Sequence, residues 1–365
     1  MLELIKTDIN SCQGCNGCIR VCPVEEANIA YSDEHGDIKV KIDTSKCIHC
    51  GACIKACTHG SRYYVDNTNE FFEKIESGEK ISLIVAPAYR VNYSKADEIL
   101  GKLKDMGIQK IYDVSLGADI CTWAHIRYMQ RTKGAKVISQ PCPAIVNYII
   151  AHKPELISSL SPIHSPMLCV AIYMRKYENI NTKIAALSPC IAKADEFDNT
   201  GFIDYNVTYK VLDEYIKENN ISLNKPWGGY DNISSSLGSI YSMPGGLKEN
   251  IEFYLSDALQ IAKSEGTSVY EMLDEYAENE KHDLPDIFDV LNCEYGCNFG
   301  TGCNNERTLF EVNSKMFKIK RDAIALNKKT ILNRMTKLFK FFDKHLKLED
   351  FIRNYNPKTI NKITV

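Results

Sequence analysis

Two cysteine runs near the N-terminus constrain the fold of this chain more than any other feature. They are Cys12-x2-Cys15-x2-Cys18-x3-Cys22-Pro23 and Cys47-x2-Cys50-x2-Cys53-x3-Cys57. Cysteines at this spacing wrap three thiolates around one [4Fe–4S] cube, while the fourth reaches the other cube. The runs therefore predict two clusters, the first held by Cys12, Cys15, Cys18 and Cys57 and the second by Cys22, Cys47, Cys50 and Cys53. Zinc is disfavoured, because structural zinc sites use paired cysteines with longer separations.

The composition indicates a soluble protein with reduced thiols. The chain has 365 residues, is 44% hydrophobic and 25% charged, and contains 15 cysteines. Disulfide scaffolds are typically small and secreted, and this chain is too long for one. We find neither an apolar run of about 18 residues, as a membrane span requires, nor a signal-like N-terminus. We therefore expect a cytoplasmic protein without a membrane span.

The C-terminal residues 313–365 are strongly basic, with 14 Lys and Arg against 4 Asp and Glu. Such a segment can bind nucleic acid or anionic lipid. Apolar residues nevertheless recur through it at helical spacing, at Ile331, Met335, Leu338, Phe342 and Leu346. This pattern favours a helical extension that packs on the body and exposes its basic face, so we expect no nucleic-acid partner.

The remaining chain divides into three segments. Residues 1–65 resemble the bacterial two-cluster ferredoxins in their cysteine runs, which implies an α+β, ferredoxin-like module, and residues 66–80 are predicted to be a linker with one short helix. Short apolar runs, each followed by a turn and a helical pattern, occupy 81–87, 110–115, 136–141 and 183–189. Repeated strand, turn and helix predict an α/β domain with a parallel sheet over residues 81–312.

Four further cysteines lie far downstream in three short turns. Ligands of open α/β sheets gather at the carboxyl ends of the strands, and Cys142 and Cys190 each follow a predicted strand directly. Cys293 and Cys297 are four residues apart, so both thiols can face one object if their turn is helical. Together the four thiols can hold a third cluster.

These turns resemble those of the iron-only, or [FeFe], hydrogenases, which interconvert dihydrogen with protons and electrons. Members of that family carry a proline-flanked cysteine turn, a Pro-Cys-x2-Lys-x2-Glu turn and a Cys-x2-Gly-Cys turn followed by glycines. The same turns occur here in that order, at Cys142, at 189–196 and at 293–297. Ala86-Pro87-Ala88 resembles the family's first cofactor-facing loop. The resemblance covers residues 1 to about 305, and it implies a two-lobed α/β hydrogenase domain behind the ferredoxin-like module.

The resemblance also implies a cofactor, the H-cluster, in which a [4Fe–4S] cube is thiolate-bridged to a diiron unit carrying CO, cyanide and a dithiolate. Cys142, Cys190, Cys293 and Cys297 would ligate the cube, with Cys297 as the bridge. Lys193 would donate to a cyanide, and Glu196 would support it. Ala86, Pro87 and Ser188 would also contact the cofactor. The implied partners are dihydrogen, protons, a redox partner such as ferredoxin, and maturation proteins that install the diiron unit.

The chain departs from the family where protons move. Dihydrogen-evolving members place a proton-carrying cysteine at the position of Pro141, and proline has no titratable group. Two acidic positions of the family's proton route appear as His125 and Tyr128, and two methionines appear as Ser188 and Leu291. These changes resemble the divergent sensory or regulatory members and imply low activity. Cys121 and His125 share one predicted helix, where either a substitute proton relay or simple core packing accounts for them.

Three functions follow as alternatives. The first is a hydrogenase of low turnover, and the second is a non-catalytic dihydrogen or redox sensor that acts through a signalling partner. The third is an iron–sulfur electron-transfer or assembly protein without the diiron unit. Of the remaining cysteines, Cys169 lies in an apolar run and is predicted to be a core residue. Cys303 follows the glycines of the third turn, and its spacing does not make it a ligand.

Overall fold

The computed structural model describes residues 2–304, 306–328 and 337–353. Its strands are β1 Ile5–Thr7, β2 Asn28–Ser32, β3 Ile38–Ile42, β4 Arg62–Tyr64, β5 Ile81–Val85, β6 Ile111–Asp113, β7 Val137–Ile138, β8 Lys183–Ser188, β9 Tyr205–Thr208, β10 Ile261–Glu265 and β11 Ile287–Leu291.

The helices alternate with these strands along most of the chain. They are α1 Gly17–Arg20, α2 Ala52–Ala56, α3 Thr68–Glu76, α4 Tyr89–Asn92, α5 Ala96–Asp105, α6 Val114–Arg131, α7 Pro143–His152, α8 Pro166–Lys176, α9 Lys193–Thr200, α10 Tyr209–Glu218, α11 Gly246–Leu255, α12 Ser268–Glu278, α13 Leu309–Lys328 and α14 Lys337–His345. Short 3-10 turns occupy Pro154–Ser159, Leu237–Ile240, Cys297–Phe299 and Leu348–Phe351. Among the described helices, none combines the length and apolar character needed to cross a bilayer.

The N-terminal module has the predicted ferredoxin-like α+β fold. Strand β1 pairs antiparallel with β4, and β2 pairs antiparallel with β3. The short helices α1 and α2 follow the first two cysteines of each run and carry the third, Cys18 and Cys53 respectively. The two cysteine runs therefore lie on equivalent elements, as their internal repeat in the sequence indicates.

Two parallel sheets, one in each lobe, form the rest of the body. The first has the strand order β6-β5-β8-β9, and the second has the order β10-β11-β7. Every strand of the first sheet is parallel to its neighbours, and β5, β6 and β9 are buried along their full length. The α/β prediction is confirmed. The apolar run at 136–141, however, forms a two-residue strand in the second sheet rather than a neighbour of the other predicted strands.

Helices α6 and α8 pack against each other, and their backbones come very close together. The side chain of Asp113 caps α6 by accepting a hydrogen bond from the amide of Ser115 at 2.8 Å. Gly117 permits the close crossing, because a Cβ atom added there would lie 2.1 Å from the carbonyl oxygen of Pro166. No side chain therefore separates the backbones of the two helices at Gly117.

The segment predicted to be a linker, 66–80, belongs to the main core instead. Its helix α3 buries Phe71 and Phe72 completely, and Phe72 stacks on Tyr215 of α10. Asp66 accepts hydrogen bonds from the backbone of Thr68 and of Thr208, both at 2.9 Å. The polar composition that suggested a linker comes from the exposed face of an amphipathic helix.

The basic C-terminal extension packs on the body, as predicted. Its first helix, α13, begins at Leu309, four residues before the predicted boundary. Helix α14 buries Phe342 completely and half-buries Leu338, and the indole of Trp123 in α6 donates to Asp343 at 2.8 Å. Ile331 and Met335 lie outside the described residues.

We predict that Gly117→Ala destabilises the protein by about 1–3 kcal/mol, the usual cost of overpacking a close contact. The added methyl group must push α6 away from Pro166, and it lowers the apparent thermal unfolding midpoint. The matched control is Gly228→Ala, because a Cβ at Gly228 meets no atom within 4 Å. Equal unfolding midpoints for the two variants would contradict the close packing of α6 on α8.

Candidate metal centres

One set of N-terminal thiols surrounds a small cavity in the module. Its lining includes Cys12, Cys15, Cys18 and Cys57, so the last cysteine of the second run joins three from the first. This is the grouping that the x3 spacing predicts. Arg62 lies at the edge of the cavity, with Nη2 3.7 Å from Sγ of Cys18, and it donates to the side chain of Asn28 at 2.9 Å. A buried guanidinium is thereby fixed beside the thiols.

The other four N-terminal cysteines influence one another electrostatically. Burial raises the pKa of Cys47 to about 11 and that of Cys53 to about 12, and the negative charge of Cys22 contributes to both shifts. Burial also raises the pKa of Cys50 well above its usual range, with further contributions from Cys53 and Cys22. Cys22 therefore lies within electrostatic reach of three cysteines from the opposite run, as the predicted second set requires.

The N-terminal module packs closely against the α/β body, and we call the contact surface between them the seam. His49, between Cys47 and Cys50, hydrogen-bonds through Nδ1 to Asp195 of α9 at 2.7 Å, and both side chains are buried. Gly51, in the left-handed conformation at φ +75°, has no room for a side chain, because a Cβ there would lie 2.4 Å from Thr301. Ile191 completes the seam by packing into the module's own apolar core.

The three downstream cysteine turns occupy the carboxyl ends of strands from both sheets. Cys142 precedes α7, where Pro143 provides a well-placed first helical residue. Cys190 follows β8 directly, and Cys293 follows β11. Because parallel strands of the two lobes present their carboxyl ends toward each other here, the turns converge on one place.

At that place the four downstream thiols line a single cavity. Cys142, Cys190, Cys293, Cys297 and Lys193 contribute to its wall, together with Ala86, Pro87, Ala88, Val114, Pro141, Pro143, Pro166, Met167, Pro189, Tyr241, Ser242, Leu291, Asn292 and Gly300. The predicted loop of Ala86 and Pro87 is therefore part of this wall. Most of the remaining wall is apolar, and of the four cysteines Cys142 is buried while the other three are half-buried.

Burial governs the ionisation of these four thiols. It raises the pKa of Cys142, Cys190 and Cys297, and it raises that of Cys293 to about 11. The negative charges of the neighbouring cysteines raise the pKa of Cys190, Cys293 and Cys297 further. The Lys193 ammonium opposes the shift at Cys190. Four thiolates cannot be held together in such a site without a large compensating positive charge.

Lys193 and Glu196 form a buried ion pair between two cavities. The Lys193 ammonium donates to Glu196 at 2.6 Å and to Ser165 at 3.3 Å, and the two charged side chains are 9% and 4% exposed. Lys193 faces the thiol cavity. Glu196 instead lines a neighbouring cavity of about 460 Å³, together with Gln140, Asn147 and Asn199. Glu196 therefore does not line the thiol cavity itself, but it binds and positions the ammonium of Lys193, which does.

Ser188, predicted as a cofactor contact, does not line the cavity. Its hydroxyl accepts a hydrogen bond from the amide of Cys190 and donates to the carbonyl of the same residue, both at 3.1 Å. The side chain is therefore occupied in fixing the turn that aims Cys190. Where the family resemblance implies an apolar methionine, Ser188 provides a hydroxyl that hydrogen-bonds the backbone of the turn.

The other predicted cysteines also have defined places. Cys169 is fully buried in α8, as predicted for a core residue. Cys303 is buried behind the third turn, where its thiol donates to the carbonyl of Cys297 at 3.5 Å, and it is not part of the cavity wall.

Sequence reasoning missed Tyr241 and Ser242 as wall residues. They lie just after a 3-10 turn in a segment with few periodic signals. Asp119 of α6 positions that turn by accepting hydrogen bonds from the amides of Ser236 and Gly238. Burial raises the pKa of this carboxyl to about 7. The neighbouring Pro244-Gly245-Gly246 sequence indicated a tight turn, but not its position against the cavity.

Comparison with known families agrees with this architecture. The family described as iron only hydrogenase large subunit, C-terminal domain, matches residues 79–301. The 4Fe-4S dicluster domain family matches residues 11–61. Since the first match spans more than half of the chain, the protein belongs to the iron-only hydrogenase family and carries an N-terminal 4Fe-4S module.

Solved structures with the same fold include [FeFe]-hydrogenases of low sequence identity. A variant of the [FeFe]-hydrogenase HydA1 from Chlamydomonas reinhardtii is 14% identical with a TM-score of 0.59, and the alignment covers 80% of this chain and 98% of that one. An apo variant of the same enzyme gives a TM-score of 0.58 at the same identity and coverage. HydA(deltaEFG), described in connection with stepwise H-cluster assembly, gives 0.57 at 13% identity with the same coverage.

We predict that Cys57→Ser removes the first cluster, about four irons per chain, because Cys57 closes the cavity of the first cysteine run. Cys303→Ser is the control, since Cys303 is buried outside the cluster cavities and its thiol donates to a backbone carbonyl. Iron analysis and electron paramagnetic resonance of the reduced protein measure the outcome. Retention of all iron in Cys57→Ser, or an equal loss in Cys303→Ser, would show that the cluster assignment is wrong.

Proposed function

We propose that this protein is an [FeFe] hydrogenase that interconverts dihydrogen with protons and electrons at an H-cluster. Electrons are relayed through two [4Fe–4S] clusters in the N-terminal module. Turnover is low, because Pro141 replaces the proton-carrying cysteine. The observation that carries this proposal is the convergence of Cys142, Cys190, Cys293, Cys297 and Lys193 on one buried cavity.

The donor set fits a cluster better than a single ion. Among residues 2–304, 306–328 and 337–353, no group of three or more His, Cys, Asp or Glu side chains is arranged to hold one metal ion. The cysteines instead stand around a cavity, as expected when thiolates bind the corners of an iron cube. Binding of iron would supply the positive charge that these buried thiolates need, and it would release their protons.

Lys193 supports the presence of anionic ligands beside the cube. Its buried ammonium has one carboxylate partner, Glu196, and still faces the cavity. An ammonium donates up to three hydrogen bonds, and those to anions are the strongest. Cyanide on a diiron unit would be such an anion. When bound, that unit supplies an open iron site for splitting or forming dihydrogen, while Lys193 and the apolar wall hold it and exclude water.

The seam supports electron transfer between the module and the cavity. Cys22 and Cys50 pack against the same apolar cluster that contains Cys142. Tyr270 belongs to the same apolar cluster and is within electrostatic reach of both cysteine sets, since burial and the negative charges of Cys50 and Cys142 raise its pKa. The second cluster would therefore adjoin the cube, and the first would lie farther out in the module.

We predict infrared bands from CO and cyanide, and dihydrogen turnover, in protein matured with the diiron unit. Both signals must be missing from the same protein that carries only its iron–sulfur clusters. Bands without turnover above the unloaded control would favour the dihydrogen sensor. Absence of the bands after maturation, with all clusters present, would favour an electron-transfer or assembly protein.

The sensor remains a second candidate because of Pro141, which lines the cavity itself. General acid–base transfer needs a titratable side chain or a water within hydrogen-bond reach. A proline in this place offers neither donor nor acceptor in its side chain. Slow proton exchange at a centre that still binds dihydrogen suits reporting gas concentration to a signalling partner.

We predict that Pro141→Cys raises turnover by about 100-fold, since a positioned acid–base group contributes on this scale. Pro141→Ala is the control, because it removes the ring without adding a titratable group. Hydrogen evolution from a chemical reductant measures both variants. An unchanged rate in Pro141→Cys, with normal iron content and infrared bands, would mean that proton delivery at this position does not limit turnover.

A further inference from the structure

A row of polar side chains runs from the wall of the thiol cavity into α6 and ends at a buried serine. Tyr241 lines the cavity, and its hydroxyl lies 3.3 Å from Sγ of Cys121. Cys121 Sγ lies 3.6 Å from Nδ1 of His125, one helical turn farther along. On the other side of the imidazole, Nε2 lies 2.9 Å from the hydroxyl of Ser161. Four side chains from three parts of the chain thus form one hydrogen-bonded row.

We propose that Tyr241, Cys121, His125 and Ser161 form a proton relay that serves the thiol cavity in place of a carrier at Pro141. This inference rests on the proposed hydrogenase function. Tyr241 is the only member that faces the cavity, and Cys121 and His125 are the acid–base pair behind it.

The pair is suited to exchanging a proton because each member stabilises the charged form of the other. Burial opposes ionisation of Cys121, but the neighbouring Cys169 thiol, the charge of His125 and hydrogen bonds from His125 and Tyr241 outweigh it and lower its pKa. Burial likewise opposes the imidazolium, yet Cys121 raises the pKa of His125, with a smaller contribution from Asp289 of β11. A core packing role alone does not require these aligned groups.

The transfer balances without any change in electrons. Inward, the Nδ1–H bond of the His125 imidazolium breaks as an S–H bond forms on the Cys121 thiolate, which leaves a neutral imidazole with its proton on Nε2. The thiol proton then passes to the Tyr241 oxygen while the phenol proton leaves for the cavity, and this restores the thiolate. The remaining imidazole proton moves to Nδ1, the tautomer favoured by the carbonyl of Cys121 at 2.9 Å. Nε2 can then take up a proton from the side of Ser161, which restores the imidazolium, and the outward direction reverses these steps.

Tyr241→Phe tests the relay with the smallest change, because it deletes one hydroxyl and keeps the ring. We expect turnover of the matured protein to fall about 100-fold, while the iron content and the infrared bands stay unchanged. Tyr173→Phe is the matched control, since Tyr173 is also buried but its hydroxyl donates to Glu178 at 2.8 Å. Wild-type turnover in Tyr241→Phe would overturn the relay.

A second measurement needs no diiron unit and no turnover. In the iron–sulfur protein, the S–H stretching band of Cys121 should be missing while His125 holds the proton, and it should appear in His125→Gln. The double variant Cys121→Ala, His125→Gln identifies the band by losing it. Thr122→Ala controls for loss of a buried polar group on the same helix, since its hydroxyl binds only a carbonyl of α6.

The two measurements separate this inference from the proposed function. A Cys121 S–H band that is present in the wild type and indifferent to His125→Gln would overturn the relay even in an active hydrogenase. A band that responds as expected, in a protein without turnover after maturation, would support the exchanging pair and contradict the hydrogenase function.

Discussion

The site depends on the cost of burying four thiols in one place. Each of Cys142, Cys190, Cys293 and Cys297 is held away from water, and their mutual repulsion as thiolates makes ionisation still harder. One nearby ammonium cannot offset that repulsion. The folded cavity therefore has no stable ionised form by itself, and the energy of metal binding contributes directly to the stability of the turns around it. The two parallel sheets position the strand ends that carry Cys190 and Cys293 on either side of the cavity.

Much of this arrangement was predictable because the strongest signals in the sequence are local. The cysteine runs repeat at fixed spacing, and the turn at Cys190 follows a short apolar run that is recognisable as a strand from the sequence alone. The pairing partner of a strand is not a local property, so nothing in 136–141 indicated that β7 would pair with β11 in the second sheet. The strands β9, β10 and β11 were missed for a similar reason, since their flanking segments lack clear periodicity. Ser188 was predicted to contact the cofactor, but its hydroxyl forms hydrogen bonds with the backbone of Cys190 instead. The residue type alone does not indicate which partner a serine hydroxyl will bind.

Several of the differences that the family resemblance implies fall at positions where a proton would move. The ligand cysteines and Lys193 keep the positions that the family resemblance implies, whereas Pro141, His125 and Tyr128 alter the groups that could move a proton. Substituting a metal ligand would abolish the centre, but substituting a carrier changes only the rate of one step.

The N-terminal module packs directly against the α/β body and shares buried side chains with it. Ile191 is inserted into the module's apolar core, and the carboxylate of Asp195 has its imidazole partner on the module side. Deleting the first 65 residues would expose an apolar surface and leave a buried carboxylate without His49, next to the turn that carries Cys190. Truncation should therefore perturb the turn that carries Cys190, so the effect of removing the module would not be confined to the module's own cysteines.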